Sequence, residues 1–206
     1  MEMNLDGHAL PRPKIFEWSH ELNTVQKLAF SILFAGFIGL LAQARFYLPF
    51  TPVPITGQTF GILLGAVLLG KTWGGISAGM YVGAGAAGVP WFTGWAGGLG
   101  HLTGATGGYL LGFIVASLFV GYIVDEYKLS RNFTGMLALL SLANFGIIYG
   151  TGLTHLYIWT SALGGSSIGF MELLMIGAIP FIAGDLVKIL VSTSVANWLT
   201  PKLNIE

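Results

Sequence analysis

The chain has 206 residues, of which 54% are hydrophobic and only 9% charged, with a mean hydropathy of +0.75; it is too apolar for a soluble domain and reads as a membrane protein. Nine basic residues balance nine acidic ones, which excludes a nucleic-acid patch and a long basic amphipathic stretch that would make the protein merely peripheral. Zero cysteines exclude disulfides and cysteine-ligated metals.

Residues 1–24 form a polar cytoplasmic segment with Pro11 and Pro13, in which Ile15, Phe16, Trp18 and Leu22 are spaced for a short helix on the membrane surface. From Val25 to Leu48 the chain is apolar for long enough to cross a hydrocarbon core of about 30 Å. Ala42-Gln43-Ala44 imitates a signal-peptidase site, but the long acid-containing polar region before it and the apolar segments after it predict an uncleaved helix. The prolines of Pro49-Phe50-Thr51-Pro52-Val53-Pro54-Ile55-Thr56-Gly57 force extended backbone, so an ordered loop follows.

Gln58 to Gly70 and Thr72 to Gly88 predict two closely linked spans, the first so short that part of the preceding loop must help it across. Val89 to Thr103 is an uncharged loop rich in glycine and tryptophan that can fold back at membrane depth. Gly104 to Val124 is the fourth span, Asp125 to Asn132 a charged turn, Phe133 to Trp159 the fifth span and Thr160 to Gly169 a small-residue loop. Phe170 to Leu199 is the sixth, interrupted at Pro180; residues 200–206 are a cytoplasmic tail. The expected fold is therefore an all-α membrane protein with its transmembrane domain over residues 25–199. With both termini cytoplasmic, Arg12, Lys14, Lys27, Lys71, Lys128, Arg131 and Lys202 lie inside and Arg45 outside, as the positive-inside rule requires.

Small residues recur every fourth position at Ser31-Ala35-Gly39, Gly75-Gly79-Gly83 and Gly104-Gly108-Gly112, each a smooth stripe for close helix contact. For the latter two the reading is packing within the bundle; for the first helix, internal packing and docking of another subunit both remain open.

Pro180-Phe181-Ile182-Ala183-Gly184-Asp185-Leu186-Val187-Lys188 sets an acid and a base three residues apart inside the last apolar segment. Charges in hydrocarbon are costly and must face a protein interior or a wet cavity. On one helix face, Asp185 and Lys188 either clasp each other to fix packing or jointly grip a polar guest. Gln58 and Thr56 add donors and acceptors, and Tyr81, Trp91, Trp95 and Tyr109 add flat walls with polar tips, although Trp91 and Tyr109 also suit an interfacial aromatic belt.

Gly65-Ala66-Val67-Leu68-Leu69-Gly70-Lys71-Thr72 matches the phosphate-loop pattern, but an apolar helix end with paired amides is the wrong context for it. His101 and His155 stand singly, so no metal site is expected, and no catalytic set can be assembled. Recognition is left as the function.

Pro52-Val53-Pro54-Ile55-Thr56-Gly57-Gln58-Thr59, the third helix with Tyr81, Gly88-Val89-Pro90-Trp91-Phe92, Gly97-Gly98, Thr106-Gly107-Gly108-Tyr109 and the Pro180–Lys188 stretch together resemble the BioY family, the biotin-binding S components of energy-coupling-factor (ECF) transporters. The likeness covers nearly the whole chain after the first helix. It implies a six-helix S-component bundle in the cytoplasmic membrane that captures biotin from outside, with Asp185, Lys188 and the Trp91–His101 loop, including Gly97 and Gly98, at the ligand. It further implies a transmembrane coupling subunit, docked on Ser31, Ala35 and Gly39, and two ATPases; ATP is used by those partners and the chain itself needs no cofactor. Where the family commonly reads Gly-Pro-Thr-Gly-Gly, this chain has Gly104-Ala105-Thr106-Gly107-Gly108, and that loop holds no arginine to meet a carboxylate. Biotin's ureido donors suit Asp185, with Lys188 supporting the same ring. The competing reading is a self-sufficient secondary transporter in which the Asp185–Lys188 pair changes protonation or partner.

Overall fold

The computed structural model describes residues 22–164 and 168–199, so the surface helix expected before Asn23, the tail after Leu199 and part of the small-residue loop lie outside the described residues. Among the described residues five helical stretches are long and apolar enough to cross a membrane: 24–41, 58–86, 107–126, 133–162 and 170–199. The first, α1 (Thr24–Leu41), opens on a capping box in which Asn23 Oδ1 accepts from the Gln26 amide and Gln26 Oε1 accepts from the Asn23 amide.

Helix α2 (Gln58–Ala86) is not one rod. Gly70 has φ +74°, a conformation open to glycine at little cost, and the chain reverses there: a Cβ on Gly74 would lie 2.9 Å from Ala66 Cα. The Gln58 and Tyr81 side chains bond at 2.7 Å, whereas a straight helix would separate these residues by about 35 Å. The arms are about 18 and 24 Å long at the usual helical rise, so the linked short spans expected from sequence are present and the bundle has six rods. Asp125, near the end of α4 (Gly107–Glu126), closes the turn by accepting from the Lys71 amide at 2.9 Å, while Lys71 Nζ meets Glu126 at 2.6 Å. The phosphate-loop lookalike is thus a hairpin whose exposed amide holds the chain's own carboxylate.

The chain between α1 and α2 is anchored by a two-residue antiparallel ribbon, β1 (Arg45–Phe46) with β2 (Ile55–Thr56), a small departure from an all-helical expectation. A short helix α3 (Gly100–Thr103) ends the tryptophan-glycine loop. The fifth span comprises α5 (Phe133–Ser141), a wider π-helical turn (Leu142–Ile148) and α6 (Tyr149–Gly164), which runs past the expected end at Trp159. The sixth is broken into α7 (Phe170–Gly177), a 3-10 turn (Ile179–Phe181) and α8 (Ile182–Leu199).

The stripes divide. Ser31 and Ala35 are fully buried, Ser31 Oγ donates to the Trp73 carbonyl at 3.2 Å, and Gly39 lies against Trp91. This corrects the docking assignment: these residues already pack the bundle, and α1 presents Leu33, Leu40, Ile32 and Val25 outward instead. Gly108 and Gly112 admit His155, Thr151 and Ile148 of the fifth span, and Gly75 admits Leu118, but Gly79 and Gly83 face open space and make no close helix contact.

Gly121 lies where α4 crosses the hairpin, and a Cβ there would meet the Gly70 carbonyl carbon at 2.5 Å. Because backbone cannot yield as a side-chain tip can, Gly121→Ala is expected to destabilise the protein by about 1–3 kcal/mol. Thermal unfolding in detergent should show a lowered Tm for this variant and an unchanged one for Gly79→Ala.

Candidate ligand-binding site

Proline at position 180 removes the amide that would bond the Ile176 carbonyl, and the 3-10 turn sends the Phe181 amide to Ala178 at 3.0 Å, leaving the Gly177 carbonyl free as well. Buried carbonyls need donors. Thr51 Oγ1 in the proline loop donates to Ile176, and the Tyr109 hydroxyl of α4 donates to Gly177 at 2.6 Å. The break therefore ties the loop and the fourth span to the sixth.

Beyond the break, α8 starts afresh with Asp185 in its first turn, where the helix dipole favours an anion. Asp185 is 3% exposed. Its Oδ1 accepts from Lys188 Nζ at 2.5 Å, and Oδ2 accepts from Asn144 Nδ2 at 3.0 Å and the Tyr149 hydroxyl at 2.7 Å. Lys188 also donates to Thr59 Oγ1 at 3.2 Å. An ionised carboxylate offers about four acceptor sites and an ammonium three donors, so each group keeps one unspent. The pair both clasps and faces a cavity of about 280 Å³, near the lower end of the ~300–1,000 Å³ range of small-molecule sites.

Phe113, Leu110, Ile148 and Phe181 line the cavity's apolar side, Pro52 to Thr56 form a second wall, and Phe92, Thr93 and His101 form the third. Of the residues picked out from sequence, Asp185, Lys188, Gln58, Thr56, His101 and Tyr109 line this space. Tyr81, Trp91, Trp95, Gly97 and Gly98 do not. Tyr81 is fully buried behind Gln58 and accepts its amide proton, while Gln58 Oε1 accepts from Thr56 at 2.7 Å. Trp91, partly buried, sets its ring against Tyr81 with centroids 5.6 Å apart and donates from Nε1 to the Tyr81 carbonyl at 2.9 Å, so it braces the loop against the helix. Trp95 is 61% exposed. A Cβ on Gly97 would strike the Val89 carbonyl oxygen at 2.6 Å, and the Gly98 amide donates to Gly85 at 2.7 Å, so both shape the loop.

Three contributors escaped the sequence reading. Asn144 and Tyr149 hold Asp185, and Asn144 was visible as an uncharged polar residue deep in an apolar span, a placement that itself signals function. The wider π-helical turn, a feature frequent at functional sites, carries Asn144 to the carboxylate. Gln43, the centre of the apparent cleavage site, is the clamp of the tryptophan-glycine loop: its Nε2 donates to the Gly39, Trp91 and Phe92 carbonyls, and its Oε1 accepts from the Gly94 and Trp95 amides. The loop lacking the family's proline is also held, because His155 Nε2 lies 2.9 Å from the Gly104 carbonyl oxygen and the Gly107 amide bonds to the same oxygen at 3.1 Å.

The BioY family model matches residues 14–204. The chain belongs to the BioY family. Among BioY proteins it is similar to the "Probable biotin transporter BioY" of Methanothermobacter thermautotrophicus, at 49% identity over 68% of this chain and 88% of the relative. It is also similar to the "Biotin transporter BioY" of Thermotoga maritima, at 35% identity over 81% and 92%. A crystal structure described as the S-component for biotin from an ECF-type ABC transporter superposes with a TM-score of 0.74 at 27% identity, covering 86% of this chain and 94% of that one. This BioY protein thus shares the S-component fold, and its family is one of membrane transporters, not enzymes.

Gln43→Ala removes both acceptors and donors that pin the loop. Hydrogen exchange at the Gly94 and Trp95 amides is expected to quicken by at least about tenfold, the effect of a ~1.4 kcal/mol loss of protection, while the amides of α4 keep their rates.

Proposed function

We propose that this protein captures biotin at the outer face of the cytoplasmic membrane and serves as the substrate-binding subunit of an ATP-driven ECF transporter. The observation that carries the proposal is the buried Asp185 paired with the half-buried Lys188 at the wall of a cavity otherwise lined by neutral and aromatic groups, in a chain of this family. Biotin carries a ureido ring with two donors and one acceptor, an apolar bicycle and chain, and a carboxylate. Asp185 has an acceptor site left for a ureido proton, and Lys188 has a donor left for the ureido carbonyl. Thr56, Gln58 and His101 add neutral polar contacts, and Tyr109 closes the wall. Charge-assisted hydrogen bonds of this kind are about twice as strong as neutral ones.

Orientation is supported by where the cations fall. Lys71 and Arg131 lie at the hairpin end, with Arg131 Nε donating to the Val124 carbonyl at 2.9 Å, whereas the cavity lies at the opposite end among the ribbon and the loop. Placing the hairpin end in the cytoplasm satisfies the positive-inside rule and points the cavity outward. Helix α1 begins and helix α8 ends on that side, Leu199 packing with Leu64 and Leu68 near the hairpin. Coupling to transmembrane and ATPase subunits then uses a surface other than the buried Ser31, Ala35 and Gly39.

Removing one partner of a buried pair strands the other charge, at a cost of about 3–5 kcal/mol. Lys188→Ala is therefore expected to reduce biotin affinity by at least about a hundredfold, and Asp185→Asn, which loses the anion but keeps the shape, by a similar factor. Equilibrium binding of a vitamin panel to the purified protein checks this, and parent-like binding by both variants would overturn the site. Reconstituted uptake should require the partner subunits and ATP; uptake by the chain alone that stops when a proton gradient collapses would replace the proposal with the secondary-transporter reading.

A further inference from the structure

Asp185 and Lys188 cancel each other, and among the described residues no other aspartate, glutamate, lysine or arginine lines the cavity. A ligand that brings a carboxylate adds an uncompensated negative charge, and a second carboxylate beside Asp185 would be repelled. The anionic end must find a cation elsewhere. Arg45 is exposed and lies next to residues that line the cavity, without lining it itself. It pairs with Thr56 across the ribbon, and directly opposed residues in an antiparallel pair project to the same face; Thr56 lines the cavity, as does Tyr47, two residues along from Arg45 on that same face. The guanidinium lies 5.7 Å from the Tyr47 ring centroid and rests on Gly94, whose φ is +87° and where a Cβ would come within 2.7 Å of Nη1. The neighbouring Thr93 lines the cavity, and the Gly94 amide is held by Gln43. Among the described residues Arg45 has neither a hydrogen-bond acceptor nor an anion, and it is exposed. Its five donors, in a fork that fits a carboxylate, are unspent.

We infer that Arg45 receives the carboxylate of the bound ligand at the cavity mouth, and that it is the residue by which this protein prefers the free acid over neutral derivatives of the same molecule. The seat on Gly94 and Tyr47 holds the fork in place, and the ligand's apolar chain spans from the acid-base pair to the rim. The inference rests on the biotin reading and assigns the one end of that ligand which the Asp185–Lys188 pair does not hold.

The test compares biotin with biotin amide, in which the carboxyl is replaced by an uncharged carboxamide, by equilibrium binding to the purified full chain. The parent is expected to bind the acid at least about tenfold more tightly than the amide, as one charge-assisted pair implies. Arg45→Gln should weaken biotin about 10- to 100-fold, leave the amide unchanged and so abolish the preference, while Arg45→Lys should restore part of it because the charge is kept and the fork lost. Retention of the preference in Arg45→Gln would overturn the inference, as would an equal loss for both ligands, which would assign Arg45 to loop folding or to a lipid phosphate. If Asp185→Asn abolishes binding of both ligands while Arg45→Gln changes neither, this inference alone falls; if the parent binds neither ligand, the biotin reading falls and takes this one with it.

Discussion

The architecture depends on how one helix break is satisfied. Pro180 frees two carbonyls inside a membrane span, at Ile176 and Gly177, where water is absent and an unpaired polar group costs several kcal/mol. Thr51 and Tyr109 answer them from two other parts of the chain. The donors that repair the break also fix the proline loop and the fourth span at the cavity wall. A proline that would destabilise an isolated helix thus sets the geometry of the site.

The same break gives α8 its own N-terminus, and with it a favourable position for a buried anion. Asp185 collects three protein donors from two spans, Lys188 collects two acceptors, and neither is saturated. A buried pair held only by its two members would be weak evidence of function, since desolvation offsets much of its attraction. Here Asn144 and Tyr149 hold the carboxylate in position before any ligand arrives, so little reorganisation is left for binding, which is how a preorganised site gains affinity. The chain does no chemistry on what it holds; its task is differential recognition, and the absence of any catalytic constellation in the sequence agrees with a family of transporters.

Around this centre the loops are rigid for local reasons. Gln43 alone spans five backbone groups. The Gln58–Tyr81–Trp91 chain of contacts joins the two arms of the hairpin to the loop above them. Tryptophans that looked like walls of the site from sequence are instead its scaffolding, or, in the case of Trp95, its outer surface. Glycines matter where another segment comes close, at Gly70 and Gly121 and at Gly75, Gly108 and Gly112 of the stripes, and much less at Gly79 and Gly83, which share the spacing but face open space.

Composition and hydropathy by themselves determined that the chain crosses a membrane, where most of its spans begin and end to within a few residues, and that Asp185 and Lys188 share a helix face, because apolar length and helical periodicity are local properties; the first span is the exception, stopping at Leu41 and not at Leu48, because the chain turns there into the ribbon that pairs Arg45 with Thr56. The proline loop and the interrupted last span were legible for the same reason. Which face of the first helix turns inward was not, since Ser31, Ala35 and Gly39 form an equally smooth stripe whether their neighbour belongs to this chain or another; only the packed position of Trp73 and Trp91 decided it. Nor could spacing assign Gln43, Asn144 or Tyr149, whose partners lie between 36 and 52 residues away for the bonds that matter most. Those bonds are set by where whole spans cross, and that is a property of the assembled bundle.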